Sequence, residues 1–423
     1  MTKRYEMLVM TNAAGNNNKF YEMKLEDNDE VIIRYGRVGA NGVTESKGYG
    51  ESTFEKVKNS KTKKGYRPVD VVLNEGGKAS SQHKMTLAEI AKRDIAGNNP
   101  ALNALLDRLA QINRFQLLSA SGGQIDIVDG EVKTALGVLI SLDSIQKAKD
   151  DLQLLSEYVG KNDFSESYVN TLQDYLTKIP QKVSHRRGWD RSFFTEITTV
   201  QNQYDLLDQL ENSVKNSQTV EVSDGVEQEE IGRIFDYSLQ VVEDDAEFDR
   251  INKFYNAGVQ TKHVSSNRKL KNIYKMVNDE KAKLYQEFAD RIGNEMTLWH
   301  GSRACSILSI LKSGLIIPPT HGGNYTISGR LFGDGIYYSD ISSKALNYSV
   351  GYWGNDGIDN GTVFMFNVTA ACGKQYTPSG PINKIPTGYD SIYAIGGRSG
   401  VLNNEMIMPS TNQSRLDYLC EFE

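Results

Sequence analysis

One histidine, two tyrosines, a lysine and a glutamate fall on short segments in the last third of this 423-residue chain. His300 sits in Leu298-Trp299-His300-Gly301-Ser302-Arg303, and Tyr337 in Phe332-Gly333-Asp334-Gly335-Ile336-Tyr337-Tyr338. Glu405 sits in Leu402-Asn403-Asn404-Glu405-Met406-Ile407, and Lys344 and Tyr348 lie four residues apart. These types suit electrostatic catalysis and ring binding. A carboxylate can stabilise positive charge growing in a transition state. Two tyrosine rings can sandwich a flat ring, which adds about 0.5–1.5 kcal/mol beyond burial for a stacked pair. Gly301 lets backbone approach a ligand. Each residue alone also has a bland reading: a surface carboxylate on a strand, a satisfied core histidine, two core aromatics. The long, specific context around each favours a site.

The elements that must position these residues are mixed. Strands are expected at 297–299, 335–338, 362–369, 405–408 and 417–422, and helices at 247–256, 280–292, 304–312 and 342–352. Ile234 to Val242 alternates like a strand. Upstream, from Asn99, the pattern is helical. Asn99 is an N-cap with Pro100 at the first helical position. Leu102, Leu105, Leu106, Leu109 and Ile112 form one apolar stripe, and similar stripes recur at 136–155, 168–179 and 197–214. An all-α bundle is the simple reading. The first seventy or so residues read as β, with strands at 5–10, 20–25 and 31–39, the last ending at an Asn41-Gly42 turn. A helix then starts at Ser52, with Glu55 as its capping-box partner, and stops near Gly65. Gly76 to Ser81 reads as flexible linker, and Met85 to Ala91 as a short ordered piece.

Composition bounds the function class. The length calls for two or three domains. Hydrophobic content of 39% and charged content of 24% are ordinary for a soluble protein. No apolar run approaches a membrane span, and the first residues lack the apolar core of a signal peptide. Three scattered cysteines, Cys305, Cys372 and Cys420, read as reduced thiols, and no Cys/His spacing suggests zinc. The net charge is −6, yet Lys56, Lys58, Lys61, Lys63, Lys64 and Arg67 follow one another without an acid between them. Glu221 to Glu230 is the acidic reverse. A basic face on an acidic chain fits a phosphate-binding patch or a solvated helix face. Gly322-Gly323 and Gly333-x-Gly335 do not form the dinucleotide fingerprint that follows a strand.

Together the segments around His300, Tyr337 and Glu405 resemble the His-Tyr-Glu signature of the poly(ADP-ribose) polymerases. The first region resembles a WGR domain, with Tyr35-Gly36-Arg37 where that family usually has Trp-Gly-Arg. The resemblance covers nearly the whole chain in order. It implies a multidomain α+β protein: a small β-rich WGR-like domain at 1–75, a linker at 76–98, an all-α helical regulatory domain at 99–216, and a mixed α/β ADP-ribosyltransferase fold at 217–423. It implies NAD+ as substrate, with no metal. Glu405, His300 and Tyr337 would be catalytic. His300, Gly301, Ser302, Tyr337, Lys344 and Tyr348 would bind NAD+, with His300 on a ribose hydroxyl, Gly301 reading the carboxamide, and the two tyrosines around the nicotinamide. Tyr35, Arg37, Lys61, Lys63 and Lys64 would bind nucleic acid, namely broken DNA ends with a 5′-phosphate. Acceptors would be proteins, including the enzyme itself, and no membrane is involved. The protein would be intracellular: nuclear if eukaryotic, in the cytoplasm or nucleoid if prokaryotic or viral. The implied activity is polymer synthesis triggered by DNA breaks in the damage response. The alternatives are a mono-ADP-ribosyltransferase, or a strand-end-binding protein with weak or no transferase activity. The sequence departs from the family at Ala345, where a serine usually bonds the carboxamide, so Ser343 or a water would have to substitute. The loop from Gly396 to Glu405 is also short.

Overall fold

The computed structural model describes residues 2–12, 16–69, 84–85, 87–128, 131–135, 139–184, 186–194, 197–217, 220–221, 232–317, 331–351 and 361–423. Gly76 to Ser81, Gly322-Gly323, Leu136 and the acidic run beyond Glu221 lie outside the described residues. The chain falls into two compact units, 1–87 with 113–226, and 88–112 with 227–423.

The first unit opens with β1 (Thr2–Asn12), β2 (Asn17–Glu26), β3 (Glu30–Arg37) and β4 (Val43–Tyr49), followed by α1 (Glu51–Thr62) and β5 (Arg67–Val69). They form one sheet in the order β4-β3-β2-β1-β5. Period-2 alternation sorts its residues onto two buried faces. Leu8, Tyr21, Met23 and Ile33 pack with Phe54 of α1, while Met7, Val9 and Phe20 pack with Val38. The expected capping box does not form. Helix α1 begins after Gly50 with no side-chain cap, and Arg4 of β1 takes Glu55 in an ion pair at 2.7 Å.

The helical segment begins with α2 (Pro100–Ala120), where Asn99 Oδ1 accepts the N–H groups of Ala101 and Leu102 at 2.9 and 3.2 Å. Its residues from Asn113 onward count with the first unit. Then come β6 (Ile125–Val128), β7 (Glu131–Thr134), α3 (Leu142–Gly160), α4 (Glu166–Lys178) and α5 (Ile197–Ser217). Leu152, Leu155, Tyr168, Leu172, Tyr175, Leu207 and Leu210 from the last three helices share one core. The paired strands β6 and β7 correct the all-helical expectation. Within this unit α4 lies against β1, Asn18 Nδ2 donates to Gln181 O at 3.1 Å, and Arg67 pairs with Asp174.

The second unit carries β8 (Ser238–Val241), α6 (Asp245–Ala257), β9 (Leu270–Val277), α7 (Asp279–Ile292), β10 (Glu295–Gly301) and α8 (Ala304–Ser313). It continues with β11 (Ile336–Tyr338), α9 (Ser342–Ser349), β12 (Val363–Ala371), β13 (Gln375–Tyr376), β14 (Ser391–Ala394), β15 (Glu405–Met408) and β16 (Ser414–Phe422). One sheet runs β8-β9-β16-β12-β10 and a second β11-β15-β14-β13. An isolated bridge between Trp299 and Ser339 joins edge strand β10 to the residue that follows β11. The expected strand from Ile234 is shorter than its alternation suggests. Asp94 accepts the Ile234 and Phe235 N–H groups at 2.8 and 3.1 Å, and the Asp236 and Tyr237 N–H groups donate to Lys312 O and Leu311 O.

Candidate active site and nucleic-acid surface

Strand β10 carries His300 and Gly301 to the sheet edge. The Trp299 N–H and C=O bond Ser339, at 2.9 and 3.0 Å, on the side away from β12. Strand alternation turns the backbone groups of Gly301, two residues on, to that same open side. Only glycine fits there, because a Cβ at 301 would come 1.8 Å from the Ala345 carbonyl oxygen of α9. Next in the chain, the Ser302 N–H donates to Ser349 Oγ at 3.2 Å, which itself donates to Phe364 O at 2.6 Å.

His300 Nδ1 lies 2.9 Å from Tyr337 O. A carbonyl only accepts, so Nδ1 carries the proton and Nε2 is left as an acceptor. Burial pushes the imidazole down to about 4, and the nearby Lys344 cation pushes the same way against the Tyr337 bond. The ring is therefore neutral at physiological pH and can accept a hydroxyl proton.

Tyr337 lies on β11, opposite Ile407 of β15. Its hydroxyl donates to Gly333 O at 2.8 Å and accepts the Phe332 N–H at 3.1 Å, which fixes the ring over the 331–335 turn. Helix α9 presents Lys344 and Tyr348 on one face, as i and i+4 must be. Tyr348 is 37% exposed as a residue, although its phenol end lies among buried groups. Burial raises its phenol pKa, and Glu405 and Tyr337 are close enough to add to that.

Glu405 opens β15 opposite Ala394. Its Oε1 lies 2.8 Å from Lys344 Nζ, and that ammonium sits 5.2 Å from the Tyr348 ring centre. Asn404, to which the sequence motif assigned no role, fixes the turn before Glu405. Its Oδ1 accepts the Gly396 N–H at 3.0 Å, its Nδ2 donates to Asp340 Oδ2 at 3.0 Å, and its carbonyl accepts from Ser339 Oγ at 2.9 Å. The neighbouring position in Asn403-Asn404-Glu405 was the available signal. The structure thus brings His300, Gly301, Tyr337, Lys344, Tyr348 and Glu405 together. Ser343 does not reach this face, because its hydroxyl is taken by the Gln260 N–H and His263. Among the described residues no group of three or more His, Cys, Asp or Glu could hold a metal.

On the first unit, Tyr35 stacks on Tyr21 with ring centres 5.7 Å apart and planes at 24°. Lys61 Nζ sits 4.0 Å from the Tyr21 ring centre and within 6.0 Å of Tyr35 and Tyr66. Burial lowers the Lys61 pKa, and the nearby Lys64, Lys47 and Lys19 add to that against Glu45, so Lys61 over the tyrosine pair sits in a locally basic neighbourhood. Lys47 and Lys19 carried no sequence motif; strands β4 and β2 bring them in. The basic run of α1 divides by role. Lys58 pairs with Glu6 at 2.7 Å, while Lys56, Ser60, Lys63 and Lys64 line a hollow of about 500 Å³. Arg37 donates to Asn16 O at 3.0 Å and Ser184 O at 2.9 Å, which ties β3 to the segment after α4.

Residues 245–419 match the family described as the poly(ADP-ribose) polymerase catalytic domain, and residues 5–71 match the WGR domain. The matched segment of the second unit is an NAD+-dependent ADP-ribosyltransferase domain, and His300, Tyr337 and Glu405 all lie within it. The chain belongs to the poly(ADP-ribose) polymerase family, in its WGR-containing branch. It is 23% identical to human poly(ADP-ribose) polymerase 2 over 81% of this chain and 61% of that protein. It is 24% identical to human protein mono-ADP-ribosyltransferase PARP3 over 92% of this chain and 76% of that protein. It is also 24% identical to poly(ADP-ribose) polymerase 2-B of Oryza sativa subsp. japonica, over 80% of this chain and 54% of that protein. No helix among the described residues is long and apolar enough to cross a membrane.

Proposed function

We propose that this protein cleaves NAD+ at the nicotinamide–ribose bond and transfers ADP-ribose to proteins, itself included, when its first unit holds a broken nucleic-acid end. The observation that carries the catalytic half is Glu405 held by Lys344 beside Tyr348 and Tyr337, within the same small group as His300.

The residues divide the work. Nicotinamide leaves easily because departure neutralises its ring charge. The Gly301 N–H and C=O read the carboxamide, Tyr337 and Tyr348 hold the ring, and His300 Nε2 accepts from a ribose hydroxyl. As the C1′–N bond breaks, positive charge grows on the ribose, and the Glu405 carboxylate stabilises it. The acceptor oxygen then bonds C1′, and its proton leaves through the Glu405 side. Lys344, 2.8 Å from Oε1, holds the Glu405 carboxylate in place.

The nucleic-acid half is supported by Lys61 over the stacked Tyr21–Tyr35 pair, with Lys64, Lys47 and Lys19 close enough to act on it. Their chemistry suits a phosphate beside a stacked sugar or base. Polymer synthesis is the first reading. Single transfer is the second, and the turn from Gly396 to Asn404 favours it. Gly397 N–H donates to Val401 O at 2.7 Å and Ser399 Oγ to Pro378 O at 2.6 Å, so the segment closes on itself and offers little wall for a growing chain. Resolving the labelled products on a sequencing gel separates the two: a ladder supports the polymerase, one band the single transfer. The helical segment is proposed to restrain the transferase until an end is bound. Deleting 99–216 should then give activity without DNA, and a folded, NAD+-binding deletion with only basal activity would count against that restraint.

A further inference from the structure

The face of α9 away from the site is gripped by the segment joining α6 to β9. Ser342 Oγ donates to Tyr255 O at 2.6 Å. Ser343 Oγ accepts the Gln260 N–H at 2.8 Å and lies 2.8 Å from His263 Nδ1. The Ser265 hydroxyl sits 2.7 Å from Ser343 O and 2.8 Å from Asn347 Oδ1. The packing is tight enough that a Cβ on Gly258 would come 2.7 Å from Ser342 N. These bonds fix the rotation of α9 about its axis, and so the direction in which Lys344, one residue after Ser343, points.

His263 reaches further than its neighbours. It is 8% exposed. The Gln260 N–H occupies one lone pair of Ser343 Oγ and leaves the serine's own proton free to be given to His263 Nδ1, and in that arrangement the neutral ring carries its proton on Nε2. Nε2 and Asn403 Oδ1 are each buried without a hydrogen bond among the described residues. Burial lowers the His263 pKa, Lys262 and Lys344 push the same way, and the Asn403 side chain, near enough to bond the ring, opposes them. The Nε2–H and Asn403 Oδ1 are thus a buried donor and a buried acceptor on neighbouring side chains, each needing a partner. Asn403 stands two residues before Glu405.

We propose that His263 is a positioning residue for the Lys344–Glu405 pair, linking α9 through Ser343 to the Glu405 turn through Asn403. It touches no substrate. It aligns the carboxylate from behind, and a small misplacement of a reacting group far from the mutated site can cost on the order of a hundredfold in rate.

The test uses the full chain and compares His263→Ala, His263→Gln, His263→Asn, Asn403→Ala and the double variant H263A/N403A. The readouts are kcat and KM for nicotinamide release without added acceptor, affinity for 3-aminobenzamide, and Tm. The glutamine amide reaches the place of Nε2, and the asparagine amide the place of Nδ1. His263→Ala should lower kcat by roughly ten- to a hundredfold, with KM and 3-aminobenzamide affinity nearly unchanged. His263→Gln should keep most of that rate and His263→Asn should not. The double variant should lose no more than the worse single one, as coupled sites do. Equal rates in the glutamine and asparagine variants, additive losses, or losses of kcat, KM and affinity that track Tm would overturn the link. So would a defect confined to protein acceptors with nicotinamide release intact. Asn403→Ala, on a partly exposed turn, keeps the test open if His263→Ala does not fold. The inference rests on the proposed role of Glu405, so Glu405→Gln is run in parallel. An active Glu405→Gln takes both down, whereas an inactive one beside a fully active His263→Ala overturns the link alone.

Discussion

Lys344 Nζ and Glu405 Oε1 lie 2.8 Å apart with 6% and 12% of their side chains exposed. Removing one member of so buried a pair leaves the other charge uncompensated, typically at about 3–5 kcal/mol. Glu405→Gln keeps the shape and a hydrogen-bond acceptor, so it should lose less stability than that while losing the charge the reaction needs. NAD+ should still bind, and transfer should fall by roughly a hundredfold or more. Binding by fluorescence quenching and transfer by label incorporation check the two halves. An unchanged transfer rate in the variant removes Glu405 from its role.

His300 gives a pH signature. Burial holds its imidazole at about 4 in the folded chain, below the ordinary 6.5 of the unfolded one. The unfolded chain then binds more protons between those values, so the histidine's contribution to stability is lost as pH falls from about 6.5 toward about 4. The acid limb of NAD+ binding should likewise lie below 6.5, because protonated Nε2 can no longer accept. A heteronuclear NMR titration of the ring reads this directly. A midpoint at the ordinary value would mean that the ring is not buried as described.

Ala345→Ser should tighten binding of nicotinamide-mimicking inhibitors by up to about tenfold, the worth of one neutral hydrogen bond at 0.5–1.5 kcal/mol. The neighbouring hydroxyls of Ser343 and Ser349 are committed elsewhere, so they do not already supply it. Inhibition constants for a benzamide on both proteins decide the matter. Equal or weaker inhibition of the variant shows that the carboxamide is satisfied another way.

The basic helix should separate stability from binding. Lys63→Glu with Lys64→Glu, both exposed, should leave Tm unchanged. The log–log salt slope of binding to a 5′-phosphorylated end should drop by roughly two, about one unit for each phosphate no longer neutralised. Lys61→Ala should lower Tm as well as affinity, since its ammonium is held over Tyr21, Tyr35 and Tyr66. A double variant with wild-type slope would make the α1 run a solvated face.

Much of this was legible in the sequence because the relevant signals are local. Asn99 announced its helix, and β15 began at Glu405 where the Asn-Asn-Glu turn placed it. The illegible parts depend on partners distant in the chain. Glu55 had the spacing of a capping box, but Arg4 claimed it from β1. Ile234 and Phe235 alternated like a strand, but the Asp94 carboxylate took their N–H groups. Strands β6 and β7, four residues each, are too short for alternation to stand out between helical stripes. Arg37 sat in the motif expected to meet nucleic acid, and the fold turns its guanidinium onto the carbonyls of Asn16 and Ser184. His263 had no motif at all; only the packing of the 258–266 segment on α9 brings it to Ser343 and Asn403.

The most direct measurement is incubation of the full chain with NAD+ labelled in its adenylate phosphate, with and without a nicked duplex carrying a 5′-phosphate. Label should enter the protein as nicotinamide is released, both should rise when the nicked duplex is present, and both should vanish in Glu405→Gln. Folded protein that binds NAD+ yet releases no nicotinamide and takes up no label, with the nicked duplex or without it, would contradict the assignment of this chain as an active transferase.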